Sequence, residues 1–90
     1  MTKTVLSPHY GQKSFYGKAH IITTAEGQRF LKSYNTIVCG IVDGKFERYW
    51  NDYSATTMRH INAFLYACDC ETINKSAWDK LSVSACPVKL

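Results

Sequence analysis

The chain holds no apolar run near the roughly 20 residues that span a bilayer, so no membrane-crossing helix is expected. Its first residues, MTKTVLSPHYGQK, include a lysine but no apolar h-region and no small-residue cleavage site. They do not read as a signal peptide, and a soluble, cytoplasmic protein is the expectation. Cysteine occurs four times, but not in two close pairs. Cys68 and Cys70 form a CxC, Cys86 stands alone downstream, and Cys39 lies in the apolar run 37–42. A zinc site usually needs two pairs, each with about two to four residues between its ligands. CxC with Cys86 and His60 makes a conceivable set, but plain reduced thiols are the simpler reading, with Cys39 a small buried hydrophobe. Neither metal nor disulfide is expected.

Catalytic signatures are missing too. There is no Gly-rich phosphate loop, no HExxH and no carboxylate pair at helical spacing. A nucleophile needs a base within hydrogen-bond reach and a third group to orient that base. Ser54 is engaged as a helix cap, and Cys39 is expected to be buried. His60 has Thr56, Thr57, Ala63 and Phe64 at i±3 and i±4, none of them a carboxylate. No enzyme and no cofactor are expected. Recognition motifs of the RNP, KH or helix-turn-helix kind are also absent.

Acidic residues are scarce in the first third. Residues 1–32 carry five basic side chains against Glu26 alone, whereas residues 33–90 carry six of each sign. The whole net charge of +4 therefore sits in the first segment. Such asymmetry attracts polyanions or acidic protein surfaces, although a solvated basic segment has the same composition.

What is present suits one small domain. Ninety residues with 46% hydrophobic and 13% aromatic content can fill a compact core. No repeat, linker or low-complexity tract interrupts the chain. Residues 1–14 read as an irregular basic arm, and 15–90 as a single α+β domain. Residues 18–24 alternate and are β-branched, 25–28 supply a turn with Gly27, and 29–34 return as a second strand. Tyr34-Asn35-Thr36 marks a break before strand 36–42, whose two faces are both largely apolar. Asp43-Gly44 signals a type I′ hairpin into 45–50, where Phe46, Arg48 and Trp50 alternate with Lys45, Glu47 and Tyr49. The expected sheet is an antiparallel β-meander of about four strands.

Ser54 is placed to cap a helix starting at Ala55. Met58, Ile61, Phe64, Leu65 and Cys68 then share a core stripe, Arg59, Asn62 and Tyr66 a polar face, and Thr56, His60, Ala63 and Ala67 a flank. The Thr57 hydroxyl is expected to bond within the first turn. Asn74 caps a short helix in which Trp78 and Leu81 face the sheet. Both helices should cover one sheet face.

The strings SYNTIV (33–38), DGK (43–45) and YSATTMRHINAFL (53–65) resemble a group of short, largely uncharacterised proteins from bacteriophages and mobile elements of low-GC Gram-positive bacteria. The similarity covers roughly residues 15–81. Members tend to have Glu where Ala63 stands and lack the Cys68/Cys70 pair. The resemblance implies a phage accessory protein acting in the host cytoplasm. By analogy, it would bind and inhibit a host protein machine such as a CRISPR or other defence nuclease.

The candidate binding residues are Tyr10, Lys13, Phe15, Tyr16 and Lys18, with Arg48, Tyr49 and Arg59. Aromatics interleaved with cations suit base stacking and phosphate neutralisation. The same residues also make protein-interface hot spots. A host protein or protein–nucleic acid complex is thus one expected partner, and nucleic acid bound directly by a small regulator is the other. For Arg59 the simpler reading is a solvated arginine. His60 is expected to satisfy a strand backbone group, His20 to be half-exposed on its strand, and His9 to have no role. The open sheet face and the arm are the natural binding surface.

Overall fold

Alternation along the strands and two tight turns generate the architecture. The computed structural model describes residues 2–6 and 18–87. Five strands, β1 Thr2–Val5, β2 Ala19–Thr23, β3 Arg29–Ser33, β4 Thr36–Val42 and β5 Lys45–Arg48, pair antiparallel in chain order. Two helices follow, α1 Ala55–Ala67 and α2 Lys75–Lys80. The fold is α+β, with five strands among the described residues rather than about four.

The additional strand comes from the segment read as an irregular arm. Thr2-Lys3-Thr4-Val5 runs along the edge of β2, with Lys3 opposite Ile22 and Val5 opposite His20. Four residues are too few for periodicity to show. Two threonines and a valine nevertheless fit a pleated surface once a partner strand is there.

The Asp43-Gly44 turn has positive φ at both residues, 53° and 76°, as a type I′ turn requires. Tyr34-Asn35 is a turn as well, not merely a break: it joins β3 to β4, with Tyr34 at φ 56°. The register slips between Leu31 and Lys32, whose partners are Cys39 and Ile37. Val38 is the extra residue, and both Val38 and Cys39 enter the buried core. Opposite Phe30 stands Gly40. A Cβ there would lie 2.6 Å from Phe30 Cδ1 and 2.9 Å from the Arg29 carbonyl oxygen, so the close approach requires glycine.

Helix α1 begins as its cap dictates. Ser54 Oγ accepts from the Thr57 backbone N–H at 3.0 Å. Met58, Ile61, Phe64, Leu65 and Cys68 are all buried, the stripe that the 3.6-residue period places on one side. In α2, Asn74 Oδ1 accepts from Ala77 N–H at 2.9 Å, and Trp78 is fully buried. Leu31, Cys39 and Ile61 belong to one cluster between sheet and helix. Strand parity turns Lys3, His20, Ile22, Phe30, Lys32 and Tyr49 to the opposite face, away from α1 and α2.

Candidate functional site

The sheet face away from α1 and α2 divides along its strands. At the Ile22–Phe30 end of β2 and β3 both of these residues are buried, and Tyr49 lies against Phe30 with ring centroids 6.0 Å apart. At the His20–Lys32 end, side chains from three adjacent strands and one turn surround a cleft of about 220 Å³. It is lined by Lys3, Lys18, His20, Lys32, Tyr34 and Asn35.

Register creates this cleft. His20 lies opposite Lys32 across the β2–β3 pair, and Val5 opposite His20 brings Lys3 alongside. Lys18 shares the face of His20 by alternation. The Tyr34 backbone N–H donates to the Lys18 carbonyl at 2.7 Å, which fixes the turn beside the lysine. Among the described residues, no carboxylate lines the cleft. Among the described residues the one ion pair is Lys75–Asp79 on α2, so the cleft lysines have no acidic partner. Three cations around a small concavity favour an anion.

His20 is unusual within this group. Its Nδ1 is shut off from solvent and has no hydrogen-bond partner among the described residues. Its pKa lies below the ordinary value, first through burial and then through the like charges of Lys3 and Lys32. The ring is therefore held towards its neutral form in a positive field.

Tyr34 forms the rim. Its side chain is 49% exposed, and its ring packs against His60 with centroids 5.7 Å apart and planes 41° apart. Under that ring, His60 Nδ1 and Ser33 Oγ share a 2.7 Å hydrogen bond, and Ser33 Oγ lies 3.3 Å from Thr57 Oγ1. Through Nδ1, His60 thus satisfies a strand side chain. Thr57 likewise reaches across to the sheet rather than bonding only within its own turn. The Ser33–His60 spacing suits a nucleophile and its base, but both residues are buried and neither lines the cleft. Burial also lowers the His60 pKa.

The residues expected to bind are dispersed. Tyr10, Lys13, Phe15 and Tyr16 lie outside the described residues. Lys18 is exposed and lines the cleft, while Arg59 is exposed on α1. Arg48 is only 7% exposed and is corrected from binding residue to structural clamp. Its Nε donates to Trp50 O at 2.8 Å, Nη1 to Trp78 O at 2.9 Å and Leu81 O at 3.3 Å, and Nη2 to Asp52 O at 3.4 Å. The guanidinium also lies 4.5 Å over the Trp78 ring. Tyr49 points away from it, half-buried, with its hydroxyl donating to Glu47 Oε1 at 2.6 Å. Burial, and then that bond, raise the Tyr49 pKa. Arg48 and Tyr49 therefore form no joint surface. The sequence reading left out Lys3, Lys32, Tyr34 and Asn35, although the turn at 24–28 implies that Lys32 faces His20.

All four cysteines are free thiols, with Cys39 and Cys68 buried. Among the described residues, no group of three or more His, Cys, Asp or Glu is placed to hold a metal ion. Among them, too, no helix is long and apolar enough to cross a membrane.

The chain belongs to DUF8033, a family of unknown function, which it matches over residues 4–80. No curated protein and no solved structure matches it.

Proposed function

We propose that this chain is a small accessory protein of phage or mobile-element type that works by binding rather than by catalysis. Nucleic acid is its ligand, and the lysine-lined cleft on the sheet face away from α1 and α2 is its working surface. One observation carries this reading: Lys3, Lys18 and Lys32 converge on a single cleft that, among the described residues, has no acidic side chain in its lining. Three ammonium groups around one cleft repel each other, and an incoming phosphate offsets that repulsion.

The test is salt-dependent binding. If each of the three lysines releases one counterion from a single strand, the log–log slope of affinity against salt is about −2. Lys18→Glu combined with Lys32→Glu should abolish binding. A slope near zero, or affinity unaffected by the double change, overturns the reading.

A second reading is the inhibitor of a host protein machine such as a CRISPR or other defence nuclease. It is favoured by the outer side of α1, where Arg59 is exposed and Tyr66 is 58% exposed. These are residue types that anchor protein interfaces. Inhibition of a purified defence nuclease that survives high salt and is lost on Tyr66→Ala would support it. Persistence of that inhibition in the Tyr66→Ala protein would count against it.

A further inference from the structure

We infer that the cleft takes single-stranded nucleic acid, with a backbone phosphate among Lys3, Lys18 and Lys32 and an adjacent unpaired base stacked on Tyr34. The inference rests on the nucleic-acid reading above and specifies which form of nucleic acid the site accepts.

Three features of the site point this way. Cleft size comes first. About 220 Å³ is smaller than the roughly 300–1,000 Å³ of pockets for drug-sized ligands, and suits a phosphate group rather than a whole nucleotide. The base must therefore lie outside the cleft, at its rim.

The second feature is what stands at that rim. Tyr34 is half-exposed, yet it is braced on the His60 ring and by its own N–H bond to Lys18. It adopts left-handed backbone at φ 56°, a conformation uncommon for a bulky aromatic. Strain of this kind persists where the surroundings over-determine it, and it tends to collect at ligand sites. Here it holds an aromatic ring, half in solvent, beside three cations.

The third feature is the complementarity of the pair. Base faces inside a duplex are already stacked, so a ring at the mouth of a phosphate cleft can gain stacking energy only from an unpaired base. Exposed Asn35, next to Tyr34 in the turn, adds an amide within reach of a base edge.

Fluorescence anisotropy of the full chain with labelled oligonucleotides tests this. Single strands, duplexes of the same sequence and abasic strands of the same length are compared, with DNA and RNA in turn. Single strands should bind more tightly than duplexes in at least one of the two chemistries. Tyr34→Asn, which preserves the left-handed turn, should weaken single-strand binding about tenfold, the scale of one lost stacking contact. Tyr34→Phe should bind as the parent does. Abasic strands should bind the parent as weakly as intact strands bind Tyr34→Asn. Lys32→Glu should weaken every form. Duplex binding as tight as single-strand binding in both chemistries overturns the inference. So does unchanged single-strand affinity in Tyr34→Asn, even where Lys32→Glu still weakens binding and the broader reading stands. Absence of any binding overturns both.

Discussion

Ser33 Oγ in β3 and His60 Nδ1 in α1 share a hydrogen bond of 2.7 Å between side chains that are 2% and 1% exposed. Thr57 joins them at 3.3 Å, so two turns of α1 are tied to one strand position through polar groups inside an apolar interface. Removing one partner from a buried hydrogen bond costs more than the bond itself contributes, because the remaining group stays desolvated. Ser33→Ala should therefore destabilise the domain by about 1–3 kcal/mol, read from urea denaturation. A midpoint unchanged by the substitution would mean that the pair does not fix the helix on the sheet.

Arg48 bears a comparable load at the other end of the molecule. Its guanidinium gathers carbonyls from 50, 52, 78 and 81, binding α2 and its flanks to β5. Arg48→Lys preserves the charge but not the planar fork, so it should still lose on the order of 3 kcal/mol. A thermal melt measures the loss. Oligonucleotide affinity of the folded Arg48→Lys protein should equal that of the parent, in contrast to Lys32→Glu. A selective loss of binding with unchanged stability would return Arg48 to the binding surface.

These two positions illustrate what the sequence made legible. Helix α1 could be read directly because its cap and apolar stripe are local signals within fifteen residues. The Asp43-Gly44 turn was equally local. Arg48 was misread although its alternation with Phe46 and Trp50 already placed it on the apolar side. Cation and aromatic neighbours in sequence are not neighbours in space on a strand, because successive residues point to opposite faces. The cleft was harder to see, since it needs the register of three strands. Lys3 joins it only because β1 pairs with β2, and Thr2–Val5 is too short to declare itself a strand.

The cap of α1 allows a graded test of the helix. Ser54→Ala should cost about 1 kcal/mol by leaving the Thr57 N–H without its acceptor. Ile61→Asp places a carboxylate in the apolar cluster and should abolish the cooperative melt. A folded Ile61→Asp protein with the parent's melting temperature would mean that the core face of α1 is wrongly assigned.

Gly40 offers a test of the other sheet face. Gly40→Ala should destabilise by about 1–3 kcal/mol, the usual range for overpacking, because Phe30 must move or the strands must part. Pairing the change with Phe30→Leu should recover part of the loss. Additive losses in the double variant would show that Phe30 is not the obstacle.

Stability should also fall as pH drops below neutrality, and the two histidines should share the effect. His20 is faced by Lys3, Lys18, Lys32 and Tyr34, and His60 by Ser33, Thr57 and Tyr34. Both pKa values lie below the ordinary 6.5, His20 through burial and then through Lys3 and Lys32, His60 through burial. In the unfolded chain both rings take up protons near pH 6.5, whereas the folded chain does so only at lower pH. The unfolded state then binds more protons in the interval, so stability is full above about pH 6.5 and declines as pH falls towards the folded values. Urea midpoints across that interval, together with imidazole shifts followed by NMR, measure the decline and assign it to each ring. Added salt should raise the His20 pKa by screening the two lysines, while the His60 pKa, set by desolvation, should barely move. Equal salt responses at the two rings would refute the charge argument for His20. A bound strand should raise the His20 pKa further, because a phosphate beside Lys3 and Lys32 cancels the field that holds the ring neutral.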